Sequence, residues 1–238
     1  MEKGLSDNWM PLESNPDVIN DYIQKIGVNT EKFSFQDLYD SDEQYLKEMS
    51  KNTLAALLIF PLDENASQEQ KKEIQQIKEK GQIINEKVYY MKQYAENACG
   101  TIAIMHAAMN LIEQVPDMIR ENSILHNFFK QTEKMTPEER ADYFMNDQEL
   151  KEEHVEAVQQ GETEVDPEDE DVLHHFVCLV PKEGHLYELD GCKPFPINHG
   201  ETTPQTLLPD IYKVFQKFLS KSENQYSFSI LLLQKYDN

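Results

Sequence analysis

Basic residues are scarce in this chain of 238 residues. It has 22 Lys and Arg against 44 Asp and Glu, which gives a formal net charge of −22 at pH 7. A surface of this sign repels phosphate backbones and anionic lipids, so we expect neither nucleic acid nor a membrane as partner. A partner with a basic segment is favoured instead.

Long apolar runs and cysteines are also few. No stretch approaches the roughly 18 apolar residues of a membrane span, and the N-terminal residues lack the apolar segment of a signal peptide. The three cysteines form no Cys-x-x-Cys pair, which argues against a disulfide framework or a thioredoxin-type site. The sequence therefore predicts a cytoplasmic protein, with the nucleus as a second location, whose thiols are reduced.

The chain has only eight glycines and no glycine-rich phosphate loop, but it has enough apolar sequence for a core, with 39% hydrophobic residues. Helical periodicity begins at Asn15-Pro16 and recurs up to residue 146, interrupted by a continuous apolar run at 54–60 that is typical of a buried strand. A short strand-like or extended piece is expected at 88–91. Strand-like runs at 174–180, 185–189 and 227–233 fill the last third, with a helix at 204–220 between the second and third. This order predicts an α/β or α+β fold and excludes a doubly wound nucleotide fold.

Residues 147–171 have an unusual composition. These 25 residues contain twelve Asp or Glu and one Lys. Such runs are typical of a solvated, mobile loop, and a long loop in a compact domain is often functional.

Cys99 is the candidate nucleophile. It lies in Asn97-Ala98-Cys99-Gly100-Thr101, at the start of a helix that is apolar nearly all round. Free N–H groups and the helix dipole stabilise a thiolate at such a position. Gln93 lies six residues earlier and could donate to an oxyanion alongside the Cys99 amide. The alternative is that Cys99 is a buried structural thiol.

The last third of the chain supplies a candidate base. His175 begins one strand and Asp190 ends the next, so antiparallel pairing could bring the carboxylate to the imidazole, in the order of a nucleophile, a base and an orienting acid. His106, on the apolar helix, is interpreted as a core histidine. The alternative to a catalytic pair of His175 and Asp190 is a metal cluster, although the spacings match no standard zinc pattern. The members of that cluster would be His174, His175, Cys178, His185 and Cys192.

These segments resemble the ubiquitin carboxyl-terminal hydrolases over almost the whole chain. Gln93–Thr101 resembles the nucleophile segment of that family, and Gly184–Gly200 resembles its region from the catalytic His to the Asp and beyond. Further similar segments are Trp9–Val18, Val88–Gln93 and Met135–Ala141. The nearest relatives would be the short enzymes with a single domain, here residues 1–238.

The resemblance implies a cysteine hydrolase that needs no cofactor and no metal. Cys99 matches the nucleophile, His175 the general base, Asp190 the residue that orients the histidine, and Gln93 the oxyanion donor. The implied fold is papain-like, a central antiparallel sheet flanked by helices on both sides, with a knotted backbone. Residues 147–171 match the active-site crossover loop, which would limit the reaction to small adducts and peptide extensions.

The resemblance also implies ubiquitin as partner, through a flexible tail that carries arginines and ends in two glycines, and we expect a monomer. Two alternatives stay open: preference for another ubiquitin-like modifier, and a non-catalytic ubiquitin-binding module. Glu96 and Cys192 depart from the usual family pattern. The candidate substrate-binding residues are Pro11, Leu12, Glu13, Asp17, Asp37, Asn97 and Tyr226.

Overall fold

The computed structural model describes residues 9–61, 64–161, 174–222 and 227–236 of the chain. Helices and strands over these ranges have the following bounds, in chain order: α1 Pro16–Ile26, β1 Phe33–Asp37, α2 Glu43–Ser50, β2 Thr53–Pro61, α3 Glu64–Lys80, α4 Cys99–Leu111, α5 Ile124–Thr132, α6 Pro137–Asn146, α7 Gln148–Gln160, β3 His174–Lys182, β4 His185–Leu189, β5 Ile197–Glu201, α8 Leu207–Lys221 and β6 Ser229–Lys235.

The strands form one six-stranded sheet in the order β1-β6-β2-β3-β4-β5, and all neighbours are antiparallel. Strand β2 reads as a continuous apolar run because both of its faces are buried. Leu57 and Ile59 face the larger apolar cluster, whereas Leu58 and Phe60 face the smaller one. The sheet therefore separates two cores.

Helices cover both faces of the sheet. The larger core contains buried residues of α1, α4, α5, α6 and α7, and the smaller core contains those of α2 and α8. Helix α3 packs against α8 on the second side. The predicted central antiparallel sheet with helices on both sides is confirmed, while the knotted path stays a prediction. Within the described ranges, none of the helices combines the length and apolar content that crossing a bilayer requires.

The acidic segment is not a loop throughout, which corrects the prediction for residues 147–171. Its first half forms helix α7, because the Asp147 side chain accepts from the Leu150 N–H as an N-cap, and Leu150, His154 and Ala157 share one buried face. Glu149, Glu152 and Glu156 are exposed, so the acidic composition concealed the helix. Residues 162–171 lie outside the described residues.

Residues 88–91 belong to no strand, so of the two conformations predicted for them, strand-like or extended, the strand is wrong. The Asn110 side chain of α4 satisfies Tyr89 instead: its Oδ1 accepts from the Tyr89 N–H and its Nδ2 donates to the Tyr89 carbonyl, both at 2.8 Å. A buried helix thus replaces the missing partner strand, and it holds the segment that leads to Gln93.

Candidate active site

Cys99 is the first residue of α4, a helix whose residues are all buried. The chain enters this helix through Asn97, which has a φ of 61°, a left-handed conformation that asparagine tolerates better than most residues. The N-cap residue Ala98 offers no side-chain acceptor, so the first N–H groups of α4 remain available to a thiolate or an oxyanion. Cys99 itself is buried, with 8% of its surface exposed.

Gly100 allows the N-terminal segment to pack beside the nucleophile. A Cβ at Gly100 would lie 3.1 Å from the Leu12 Cβ, which is tight. Leu12, predicted as a substrate contact, is 4% exposed and therefore supports the Cys99 segment in the free protein. The absence of a side chain at position 100 lets Leu12 pack here and also leaves room for a substrate beside Cys99.

His175 and Asp190 are brought together by the pairing of β3 with β4. The His175 Nε2 donates to the Asp190 Oδ1 over 3.0 Å, and both residues are buried. This leaves Nδ1 as the ring nitrogen that is free for the thiol. The Cys99 Sγ lies 4.0 Å from the carbonyl oxygen of His174, at the start of the same strand. The side chains named for a nucleophile, a base and an orienting acid thus lie in one place.

Electrostatics favour a charged imidazole. Burial lowers the pKa of His175, but the Asp190 carboxylate and interactions with Cys99 outweigh burial and raise the pKa to about 10. For Asp190, burial by itself raises the pKa of the carboxyl group. The interactions with His175 and Lys193 outweigh burial and bring the pKa below the ordinary value for Asp. A protonated His175 can stabilise a neighbouring thiolate, and later it can protonate a leaving group.

The turn after Asp190 is held by backbone contacts. The Cys192 N–H donates to Asp190 Oδ1 over 2.9 Å, and the Lys193 N–H donates to the Asp190 carbonyl over 2.9 Å. The Tyr90 hydroxyl donates to the Asp190 carbonyl at 2.9 Å and also bonds the Lys193 carbonyl. The orienting carboxylate is therefore fixed by the segment that leads to Gln93.

A buried charge network, which we did not predict, lies behind this turn. Glu188 is 1% exposed, pairs with the Lys193 ammonium and accepts from the His199 Nε2 over 2.8 Å. Burial raises the pKa of Glu188, but Lys193 and His199 lower it well below its usual range. The signal in the sequence was a Glu between Tyr187 and Leu189 of a strand with a Lys in the turn that follows, since such charges are rarely buried unless they are paired.

Gln93 lies against the same turn. Its N–H donates to the Gly191 carbonyl over 3.0 Å, and its Nε2 donates to the Ala95 carbonyl over 3.0 Å. The side-chain oxygen has no partner among the described residues. The amide nitrogen has a second N–H, which can serve an oxyanion if it is directed towards Cys99.

The predicted substrate-binding residues are spread over three places. Glu13 lies beside Gly161, at the end of α7, and its Oε2 is buried with no partner among the described residues. Asp17 is exposed in the first turn of α1. Asp37 ends β1 opposite Leu231, near the start of β6.

Of the remaining three, Asn97 is exposed and Pro11 is partly exposed, whereas Tyr226 lies outside the described residues.

His106 lies in the core, as interpreted from the sequence. Its Nε2 accepts from the Met91 N–H over 3.1 Å, and burial lowers its pKa to about 4. His154 has a similar position that we did not predict: it bonds Thr101 at 2.8 Å and the Met10 carbonyl at 2.9 Å, and burial lowers its pKa to about 4. His106 thus stabilises the segment that leads to Gln93, and His154 stabilises the N-terminal segment. We assign neither histidine a catalytic role.

The five-residue metal cluster that we considered does not form. Cys178 is fully buried in the larger core, and His185 bonds Asn198 at the far end of β4. In the part of the chain that the structure describes, the group of side chains able to hold a metal ion is a different one, made by His175, Asp190 and Cys192.

Comparison with known proteins gives a consistent family. A family model described as ubiquitin carboxyl-terminal hydrolase, family 1, matches residues 9–220. Ubiquitin carboxyl-terminal hydrolase 3 of Arabidopsis thaliana is 40% identical over 98% of this chain and 97% of its own length. Ubiquitin carboxyl-terminal hydrolase isozyme L1 of Homo sapiens is 36% identical over 94% of this chain and 97% of its own length.

Solved structures agree on the fold. The catalytic domain of UCH37 from Trichinella spiralis, bound to ubiquitin vinyl methyl ester, superposes with a TM-score of 0.72 at 20% identity, and the match covers 96% of both chains. At this identity the likeness concerns the fold alone. The sheet and its two helical layers are thus an arrangement already known in a solved structure.

Proposed function

This chain belongs to the ubiquitin carboxyl-terminal hydrolase family, and we propose that it is a thiol-dependent enzyme that cleaves small adducts or peptide extensions from the C-terminal glycine of ubiquitin. The observation that carries the proposal is the 3.0 Å bond between His175 Nε2 and Asp190 Oδ1, beside a cysteine at the N-terminus of a buried helix. A protein that only binds ubiquitin needs neither this hydrogen bond nor a cysteine at that position.

In the proposed mechanism, the Cys99 thiolate attacks the carbonyl carbon of the last glycine of ubiquitin. The charge on the resulting oxyanion is stabilised by the Cys99 N–H and by the Gln93 side-chain amide. His175 gives its proton to the departing amine or thiol, and an acyl-enzyme remains on Cys99. Water then attacks this thioester, His175 accepts a proton from the water, and ubiquitin leaves with a free carboxylate.

Charge supports a basic ubiquitin tail as the bound segment. The chain carries a net charge of −22, and attraction of this kind raises the rate of association and falls with ionic strength. Glu13, Asp17 and Asp37 are the acidic residues that we assign to the arginines of the tail. Small adducts and peptide extensions are the leaving groups that the resemblance to the family favours. The enzyme acts as a monomer of the cytoplasm, with the nucleus as a second location.

The test uses ubiquitin whose C-terminal glycine carries a small fluorogenic amine. Release of the amine by the wild type and its loss in Cys99→Ser support the proposal. The same fluorophore on another Gly-Gly-ended modifier decides the preference, since faster release there transfers the proposal to that modifier. Tight binding of plain ubiquitin without release would support the binding module instead.

A further inference from the structure

Three different metal-ligating groups lie together at the turn that follows β4. The ligand atoms of His175, Asp190 and Cys192 all lie within 4.8 Å of one another. They offer one imidazole nitrogen, one carboxylate oxygen and one thiol sulfur. His175 and Asp190 are buried, whereas the residue Cys192 is exposed, so Cys192 forms the side of the group that faces solvent.

Two of the ligands belong to one short turn whose geometry is fixed. The Cys192 N–H donates to the Asp190 side chain, and the Tyr90 hydroxyl donates to the Asp190 carbonyl, both over 2.9 Å. The third ligand, His175, comes from β3 and already lies 3.0 Å from the Asp190 carboxylate. The ligand set is therefore present before any metal arrives, apart from a rotation of the Cys192 side chain.

This donor set is typical of a borderline-soft divalent ion with tetrahedral geometry. Zinc binds nitrogen, carboxylate oxygen and thiolate sulfur at about 2.0–2.3 Å, which puts its ligand atoms roughly 3.3–3.8 Å apart. The present spread of up to 4.8 Å needs a closure of roughly 1 Å, which rotation of Cys192 can provide. Three protein ligands leave the fourth position for water.

We propose that His175, Asp190 and Cys192 form an inhibitory site for a thiophilic divalent metal ion, of which Zn²⁺ is the natural candidate. The metal takes the place of the proton that His175 Nε2 donates to Asp190, and the Cys192 thiol also loses its proton. One divalent ion enters and two protons leave to solvent, so the charge of the site is unchanged.

The inhibitory consequence rests on the proposed function, whereas metal binding does not. With the metal between His175 and Asp190, the imidazole can no longer hold its proton on Nε2, and it is drawn away from the orientation in which its other nitrogen serves Cys99. The structure thus assigns to Cys192, a departure from the usual family pattern, the role of making the catalytic pair sensitive to metal.

The binding test uses cobalt as the probe, in the full chain with Cys99→Ala so that the nucleophile cannot contribute a thiolate. We expect Co²⁺ to produce the thiolate-to-cobalt charge-transfer band and the visible bands of a tetrahedral ion, with one ion per chain. In the double variant Cys99→Ala/Cys192→Ser the charge-transfer band should vanish, and the affinity should fall roughly 10–100-fold or more. Survival of the band in the double variant, or no band at millimolar cobalt, would overturn the site.

The activity test compares zinc inhibition of the wild type and of Cys192→Ser, each relative to its own metal-free rate and reversed by a chelator. We expect the inhibition constant to rise by at least roughly tenfold in the variant. Equal inhibition of both would mean that zinc acts on Cys99 alone, which would also refute the proposal. If neither protein releases ubiquitin adducts, the proposed function fails, but the cobalt result still decides whether the metal site exists.

Discussion

Gly191 packs its backbone directly against Gln93. The Gln93 N–H donates to the Gly191 carbonyl over 3.0 Å, and a Cβ on Gly191 would lie 2.8 Å from the Gln93 Cβ and 3.0 Å from its backbone nitrogen. The first distance is shorter than real Cβ contacts permit, and the second is tighter than most of them. The turn that carries Asp190 and the segment that carries Gln93 therefore touch at a point that only glycine allows.

We predict that Gly191→Ala impairs turnover by displacing Gln93 from the oxyanion. Because a shift of about 1 Å in a catalytic group can cost about 100-fold in rate, kcat/KM should fall by that order with ubiquitin fluorogenic amide. A double-mutant cycle with Gln93→Ala checks the cause: if Gly191→Ala acts through Gln93, the double variant should be hardly slower than Gln93→Ala. If the losses in kcat/KM from the two substitutions were fully additive, Gly191→Ala would act through a group other than Gln93.

The pH profile should show the pairing of His175 with Asp190. Because the pKa of His175 is raised to about 10, activity should fall on the alkaline side only near pH 10. In Asp190→Asn the carboxylate is gone and burial still lowers the pKa of His175, so this limb should move to lower pH, with kcat/KM reduced on the order of 10³-fold or more. An unmoved alkaline limb would show that another group controls it.

The same pair makes stability depend on pH. The folded pKa of His175 lies above its ordinary value of 6.5, so its contribution to the free energy of unfolding is complete below pH 6.5. It is lost as pH rises through about 10. Urea unfolding of wild type and of Asp190→Asn between pH 7 and pH 10 should show a steeper loss in the wild type.

His154 should make the protein sensitive to acid. Its pKa falls from 6.5 to about 4 on burial, so the folded state binds fewer protons than the unfolded state between these values. The stability that it contributes is present above pH 6.5 and is lost as pH falls through about 4, by an order of 3 kcal/mol. Unfolding of His154→Gln should depend less on pH over this range than that of wild type.

The exposed His174 provides the matched control for this prediction, because His174→Gln should keep the pH dependence of the wild type. Equal slopes for both variants and the wild type would show that His154 is not the group that titrates.

Arg140 should be a stability determinant of the active-site approach. It is 9% exposed, donates to the carbonyls of Tyr90, Thr132 and Glu133, and lies 3.8 Å above the Tyr89 ring. We expect Arg140→Met to lower the free energy of unfolding by about 2–4 kcal/mol, because three acceptors lose their donor. The control is Lys134→Met, whose side chain is 92% exposed and whose loss should change little. A similarly small effect of both would contradict the assigned role.

The sequence predicted the elements that carry a strong local signal. Asn15 caps α1, followed by Pro16, and Gly27 ends the helix with a φ of 129°. The apolar run of β2 and the all-round apolar α4 could be predicted because each is buried on every side. Strands β1 and β5 were missed, since both are short edge strands whose pairing depends on distant partners.

The site was predictable as a set of residues, and the contact of His175 with Asp190 followed from the expected strand pairing, but the rest of the arrangement was not predictable. Cys99, His175 and Asp190 stood out by residue type and position, and the resemblance assigned their roles. The contact of Gly191 with Gln93 and the burial of Leu12 depend on chain packing across long separations, which no local pattern encodes. Helix α7 was mistaken for a loop because its cap and its buried face were hidden among carboxylates.

The most direct measurement is the reaction of the protein with ubiquitin that carries a thiol-reactive electrophile at its C-terminus, followed by mass spectrometry. We expect one ubiquitin per chain, no adduct in Cys99→Ala, and unchanged adduct in Cys178→Ser and Cys192→Ser. An adduct that persists in Cys99→Ala, or that is lost only in one of the other two variants, would contradict the assignment of Cys99 as the nucleophile.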